Sequence, residues 1–109
     1  MSNYSVHLTI GHNVKGRHVF ETPEICEYVT EYLDIEAFTA IECAGMWRGQ
    51  CEKSTRIEIC ALSKNEADSI LSVIPDLAGA LCQDSIMCEI RPDQVQFIDS
   101  YTIEAMRIA

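Results

Sequence analysis

Residues 45–56 (GMWRGQCEKSTR) combine more chemical groups than an ordinary connection between two strands needs. The segment holds the only tryptophan of the chain, Trp47, together with two glycines and four charged side chains. Trp47 offers an aromatic platform for a planar or cationic ligand, and a cation over such a ring gains about 0.5–2 kcal/mol. Glu52 adds a carboxylate for hydroxyl, amino or sulfonium groups. The alternative is simply a long hairpin in which Trp47 folds back on the core.

The histidines raise a separate hypothesis, a metal site. His7 lies on the first predicted strand, and His12 and His18 lie in the loop that follows. With Glu21 or Cys26 they include the ligand types that bind zinc, but their spacing matches no established site. We expect these histidines to be structural or solvent-exposed, and we expect neither a metal nor another cofactor. None of Ser54, Ser63 or Cys51 has a histidine nearby in sequence, as a nucleophile–base pair would suggest. The glycine-containing loop lacks the Lys-Ser/Thr pair of a phosphate loop.

Composition and charge bound the class of protein. A chain of 109 residues, 48% hydrophobic and 23% charged, predicts a single globular domain over residues 1–109. The net charge of -9 disfavours nucleic acid as a partner. No export signal or apolar run of membrane-spanning length is present, so we expect no membrane contact and a cytoplasmic location. The six cysteines include no C-x-x-C pair and are expected to be reduced.

Hydrophobic spacing predicts the element order β-α-β-β-α-β. Alternation indicates strands at residues 4–10, 37–44, 54–62 and 86–91, with a short fifth strand at 95–98, whereas 11–21 has the composition of a loop. One helix is expected to start at Pro23 with Thr22 as its cap. A second begins near Lys64, behind a capping box of Ser63 and Glu66, and Pro75 should kink or split it. The last ten residues stay ambiguous.

This order is the split βαβ, ferredoxin-like and PII-like plan of an α+β fold, in which two helices cover one face of an antiparallel sheet. The other face would carry Thr39, Ile41, Cys43 and Cys60, which are too apolar for a solvated surface. A small domain gains by burying such a face against copies of itself. Self-association is therefore expected.

Residues 52–57 (EKSTRI), an E-K-[ST]-x-R-[VI] pattern shortly after an aromatic residue, resemble the phage-encoded S-adenosylmethionine lyases, formerly called SAM hydrolases. As in that family, a tyrosine-containing first strand and a helix precede the pattern, a capped helix follows it, and the pair Gln83-Asp84 leads into the next strand. The resemblance spans about residues 4–99. The chain departs from the family in having Trp47 where tyrosine stands, a shorter loop before Glu52, and no extended tail.

The resemblance implies a cytoplasmic homotrimer with sites between subunits, an anti-restriction role, and cleavage of S-adenosylmethionine into 5′-methylthioadenosine and L-homoserine lactone. In this reaction the substrate's own carboxylate attacks its γ-carbon, so no cofactor is needed. Carried over by motif, Glu52 binds a ribose hydroxyl or the substrate ammonium and Trp47 packs on the sulfonium or adenine. Gln83 and Asp84 hold the amino-acid part, and Arg56 is a further substrate-binding candidate.

Purely structural interpretations stay open for three of these residues. Gln83 and Asp84 are also typical of a polar helix end that leads into a turn. Arg56 is equally typical of a solvated strand cation or of an intersubunit partner for Glu58. The rival function keeps the fold, which is also similar to PII-like and CutA-like trimers, but binds a nucleotide or metabolite as a sensor or sponge without turning it over.

Overall fold

The computed structural model describes residues 3–99, except for the side chain of Trp47. Four strands form one antiparallel sheet in the order β4-β5-β1-β6. The sheet strands are β1 (Asn3–Gly11), β4 (Thr39–Trp47), β5 (Gln50–Leu62) and β6 (Met87–Asp93). The helices are α1 (Thr22–Leu33) and α2 (Lys64–Ala80), and a two-stranded ladder joins β2 (Asn13–Val14) to β3 (Arg17–His18). The predicted ferredoxin-like α+β fold is confirmed.

The core lies between the two helices and one face of the sheet. Alternation in β1 buries Val6, Leu8 and Ile10 completely, while α1 contributes Ile25 and Val29. The remaining core members come from the first loop, the end of α1, β5, and α2 with its C-cap residue: Phe20, Leu33, Ile57, Ile59, Leu62, Ala67, Ile70, Leu77 and Leu81. No helix in the described part of the chain is long and apolar enough to cross a bilayer.

A bulge in β5 interrupts the simple alternation. Tyr4 pairs with Leu62 and Val6 with Ile59, so β5 carries one residue more than β1 over this stretch. Ala61 takes up the extra length with a φ of 59°. The bulge returns Leu62 to the core, which a strict period of two would have placed on the opposite face.

Helix α1 begins slightly differently from the prediction. Glu21, not Thr22, is the N-cap residue, and the Glu24 carboxylate accepts a hydrogen bond from the Glu21 backbone N–H at 3.1 Å. Pro23 therefore occupies the second helical position. The N-cap of α2 is Ser63, as predicted, and its capping box with Glu66 is complete.

Helix α2 and the chain after β6 correct two further predictions. Pro75 does not split α2, which is assigned as one helix from Lys64 to Ala80. The predicted strand at 95–98 is wrong, because residues 94–99 carry no strand assignment after β6. The ambiguous last ten residues lie outside the described part of the chain.

The connection around Trp47 is much tighter than predicted. Strands β4 and β5 extend to Trp47 and Gln50, which pair directly across a two-residue turn. Arg48 and Gly49 at its centre have φ values of 49° and 80°, the positive angles of a type I′ turn. Most of the supposed link is therefore a continuous β-hairpin that projects from the sheet. The predicted loop at 11–21 likewise contains a small hairpin, β2–β3.

Candidate functional site

A cavity of about 490 Å³ lies on the sheet face that the helices leave uncovered. Its floor comes from sheet residues whose side chains point away from the core, and its rim comes from the β2–β3 hairpin and the loop between α2 and β6. The lining residues are Thr9, Gly11, Asn13, Lys15, Gly16, Gly45, Met46, Glu52, Ser54, Cys82, Gln83, Asp84, Ser85 and Met87. The structure thus brings together three of the predicted site residues, Glu52, Gln83 and Asp84.

Glu52 is held against the backbone of the central strand. A Cβ added to Gly11 would lie 2.0 Å from Glu52 Oε1, so the carboxylate occupies space that any other residue type at position 11 would fill. Gly45 is the direct cross-strand partner of Glu52 on the other side. Gly11 therefore leaves room for the half-buried carboxylate at the cavity floor, whereas a Cβ added to Gly45 would meet only Ser54 Oγ, at 3.9 Å.

Gln83 joins two parts of the cavity wall. Its amide Nε2 donates a hydrogen bond to the Asn13 backbone carbonyl at 3.0 Å and so ties the α2–β6 loop to the β2–β3 hairpin. Its Oε1 lies on the Gly11 side, 3.4 Å from the position of an added Cβ there. The Gln83 and Glu52 oxygens thus approach the same point, which favours a ligand that donates hydrogen bonds.

The end of α2 sets the direction of this loop. The Gln83 backbone N–H bonds to Ala78 O at 2.9 Å, and the Cys82 N–H bonds to Gly79 O at 3.1 Å. Cys82 has a φ of 54°. This is the Schellman pattern of helix termination, with a cysteine in the left-handed position that glycine usually takes. Gln83 therefore belongs to a polar helix end, as the structural alternative predicted, and it also lies in the cavity wall.

The charge of the lining is negative. Glu52 and the exposed Asp84 face the cavity with Lys15 as the single Lys or Arg among the described lining residues. The same described residues include no histidine. Acid–base chemistry through an imidazole is therefore not built into this part of the cavity, which is better suited to binding a cationic ligand with hydroxyl or ammonium donors.

The two other predicted site residues stand differently. Trp47 pairs through its backbone with Gln50 at the hairpin tip, and the placement of its side chain lies outside what the structure describes. Arg56 is not among the cavity residues. Its guanidinium donates to His7 Nδ1 at 2.6 Å and to Glu58 Oε2 at 3.2 Å. Arg56 is thus a half-buried strand cation paired with Glu58 inside one chain.

Sequence reasoning missed the contribution of β1 and the first hairpin to this cavity. Thr9 and Gly11 share the outward parity of β1, and Asn13, Lys15 and Gly16 follow them. Parity alone was a usable signal for the first two. It was not sufficient, because placing Gly11 opposite Ser54 requires the strand register, which no residue pattern specifies.

The remaining candidate groups lie elsewhere. His12, His18 and Glu21 come together beside the start of α1, without Cys26. All six cysteines are free thiols, and burial raises the pKa of Cys88, which keeps it protonated near neutral pH. A second cleft of about 520 Å³ separates the C-terminal end of α1 from α2, but none of the predicted site residues lines it.

Comparison with known proteins supports the fold. No family model and no curated protein matches the sequence. Among solved structures, the chain is similar to a phage SAM lyase in its apo state, with a TM-score of 0.70 and 20% identity over 84% of this chain and 81% of that one. A phage SAM lyase in complex with S-methyl-5′-thioadenosine is similar at a TM-score of 0.61 and 20% identity, over 83% and 81% of the two chains.

A DUF3240 family protein from Shewanella baltica is also similar, with a TM-score of 0.63 and 14% identity over 91% of this chain and 99% of that one. At these identities the similarities establish a shared α+β architecture. The activity has to be argued from the cavity itself.

Proposed function

We propose that this protein is an S-adenosylmethionine lyase that produces 5′-methylthioadenosine and L-homoserine lactone. The observation that carries the proposal is the convergence of Glu52, Gln83 and Asp84 on one cavity, in a fold similar to that of phage SAM lyases. One of those lyases is solved with S-methyl-5′-thioadenosine, the nucleoside that this reaction releases.

The charge of the cavity suits this substrate. S-adenosylmethionine carries a sulfonium, an ammonium and a carboxylate, hence a net positive charge, and the cavity presents two carboxylates against one lysine. A nucleotide sensor would need cations for phosphate groups, which Lys15 alone supplies poorly. The cavity composition therefore favours the lyase over the non-catalytic PII-like sensor or sponge.

The reaction needs little from the protein beyond position. A substrate carboxylate oxygen forms a bond to the γ-carbon, the bond from that carbon to sulfur breaks, and its electron pair leaves with sulfur as a neutral thioether. The ammonium stays on the lactone, so charge is conserved. Holding the folded conformer and excluding water supply the rate enhancement.

In this mechanism Glu52 is the principal anchor, bound to a ribose hydroxyl or to the substrate ammonium, while Gln83 and Asp84 hold the amino-acid part. Trp47, at the hairpin tip next to lining residue Met46, packs on the sulfonium or adenine. Arg56 lies outside the described cavity and is proposed as a further substrate-binding residue. The cavity opens on the uncovered sheet face, so in a homotrimer a neighbouring subunit would complete it.

The first experiment is to incubate purified protein with S-adenosylmethionine and to follow both products by liquid chromatography, with heat-killed protein as the background. Multiple turnovers with equal amounts of nucleoside and lactone are expected. In water enriched in the heavy oxygen isotope, newly formed lactone should carry no label, because its ring oxygen comes from the substrate. Label at the γ-oxygen of homoserine would instead show attack by water.

Glu52→Gln should lower turnover at least about tenfold, equivalent to about 1.4 kcal/mol, because the amide loses the charge that binds the substrate. Glu42→Gln is the matched control, since Glu42 is an exposed carboxylate of the same hairpin, paired with Lys53 and absent from the cavity. Full activity in Glu52→Gln would remove Glu52 from the mechanism. Nucleoside binding without turnover in the wild-type protein would favour the sensor.

A further inference from the structure

A cluster of three potential metal ligands lies outside the cavity, where the chain passes from the β2–β3 hairpin into α1. Its members are His12, His18 and Glu21, and one nitrogen or oxygen atom from each lies within 4.8 Å of the others. The His12 and His18 rings meet edge to face with centroids 5.8 Å apart. His18 Nε2 lies 2.5 Å from Glu21 Oε1. We call this group the His12 cluster.

His12 is unusual because one of its nitrogens is buried without a partner. The residue is fully buried, and its Nε2 is 2.7 Å from the Thr55 hydroxyl, which is itself 2.8 Å from the Thr22 hydroxyl. Nδ1 has no hydrogen-bond partner among the described residues. Buried polar atoms nearly always have a partner. A ligand at Nδ1 would remove this exception.

The protonation state of His12 fits a ligand role. Burial lowers the pKa of His12, so the imidazole is neutral at physiological pH. A neutral ring that donates from Nε2 to Thr55 presents a free lone pair at Nδ1. Metal-bound histidines are commonly oriented in this way, by a hydrogen bond from the second ring nitrogen.

We propose that the His12 cluster binds a divalent transition-metal ion, with zinc as the expected metal, through His12 Nδ1, a His18 ring nitrogen and a Glu21 carboxylate oxygen. Two imidazoles and one carboxylate form a known ligand set for zinc with a fourth position left to water. Zinc holds such atoms about 2.0–2.2 Å from the ion, and therefore about 3.3–3.6 Å from one another in a tetrahedral site. The contact between His18 Nε2 and Glu21 Oε1, now 2.5 Å, has to open to admit the ion. The His18 and Glu21 side chains, 45% and 55% exposed, are free enough to do so.

The metal would fasten the first hairpin to the helix. The loop is already closed at its base, because the His12 carbonyl accepts hydrogen bonds from the Val19 and Phe20 N–H groups at 2.9 and 3.0 Å. A metal bridging His12, His18 and Glu21 would link the two arms of the hairpin to the N-cap of α1. Since the same hairpin forms one wall of the cavity, occupancy would order that wall whatever ligand the cavity takes.

The test is a zinc titration of the metal-free, reduced protein by calorimetry, with cobalt(II) absorption as a probe of the ligands. We expect a single zinc ion per chain and a cobalt spectrum of nitrogen and oxygen ligation. His18→Ala should weaken zinc binding by about tenfold or more. Glu27→Gln is the control and should not weaken it, because Glu27 is an exposed carboxylate of α1 that is not part of the His12 cluster.

His18 is exposed, so its variant should keep the wild-type circular dichroism spectrum and melting temperature in the absence of metal. Glu21→Gln should weaken binding in the same direction as His18→Ala. Three results would overturn the proposal: no stoichiometric zinc binding, equal affinity in His18→Ala, or the intense cobalt absorption of thiolate ligands, which would assign the metal to the cysteines. Because the readout is metal binding, failure here leaves the lyase proposal untouched.

Discussion

At the scale of single residues, the position of the Glu52 carboxylate depends on the absence of a side chain at Gly11. The carboxylate oxygen lies where a Cβ of residue 11 would be, and Gly11 is not among the residues with positive φ. An alanine there is therefore compatible with the backbone and displaces mainly the flexible end of Glu52. This separates the placement of the carboxylate from its chemical identity.

We therefore expect Gly11→Ala to lower kcat/KM for S-adenosylmethionine about tenfold, about 1.4 kcal/mol, while the protein stays folded. Product formation by chromatography and the melting temperature measure the two effects. Gly79→Ala is the control, because Gly79 lies in α2 with nothing within 4 Å of an added Cβ. Unchanged kcat/KM in Gly11→Ala would mean that the observed position of Glu52 has no part in turnover.

At the scale of elements, α2 is the helix whose end positions Gln83, and its start depends on one reciprocal cap. Ser63 Oγ accepts from the Glu66 N–H at 3.1 Å, and Glu66 Oε1 accepts from the Ser63 N–H at 3.0 Å. Ser63→Ala should cost about 1 kcal/mol, which for a domain of this size lowers the melting temperature by about 4–8 °C.

Thermal unfolding followed by circular dichroism measures this loss. Ser72→Ala, an exposed serine inside the same helix, should show no comparable loss, since alanine is the better helix former. Hydrogen bonding from Ser63 lowers the pKa of Glu66. The stabilisation is therefore complete above the usual carboxyl pKa and fades as the pH falls through the lowered one. A Ser63→Ala protein that melts like the wild type would show that the cap is dispensable.

The sequence predicted those elements whose periodicity is long enough to detect. Alternation in β1 and the box of Ser63 and Glu66 were sufficient, because each is a local pattern with one structural solution. The β2–β3 ladder escaped prediction, since two-residue strands have no period. The strand register was not predictable either, because the pairing of Gly11 with Ser54 follows from packing. The bulge at Ala61 was not predictable because alanine is not a residue type that indicates a left-handed conformation.

For the candidate site, too, the local pattern was predictable and the three-dimensional arrangement was not. Gln83 and Glu52 were predicted by motif, and the structure places both at one cavity, whereas Arg56 is engaged by His7 and Glu58 outside it. A motif specifies the order of residue types along the chain. It does not specify which side chains share a cavity, because that depends on strand parity, register and the loops that meet at the sheet edge.

At the scale of the whole molecule, the uncovered sheet face carries both the proposed assembly contact and the proposed active site. Ile41 is 43% exposed there and Met87, a cavity residue, is 59% exposed. Large apolar side chains on the face that carries the cavity are expected to be covered by a second copy of the chain. Shielding the sulfonium from water would require the same contact.

Ile41→Asp should therefore dissociate the proposed homotrimer and abolish turnover while leaving the subunit folded, because the new charge disfavours burial at an interface but is tolerated in water. Light scattering gives the mass, circular dichroism the fold, and product formation the activity. Ile57→Asp is the contrasting variant: Ile57 is fully buried in the core, so the charge there should unfold the chain itself. An Ile41→Asp protein of native mass and full activity would place the interface elsewhere. A folded Ile57→Asp protein would contradict the strand parity on which both the core and the cavity depend.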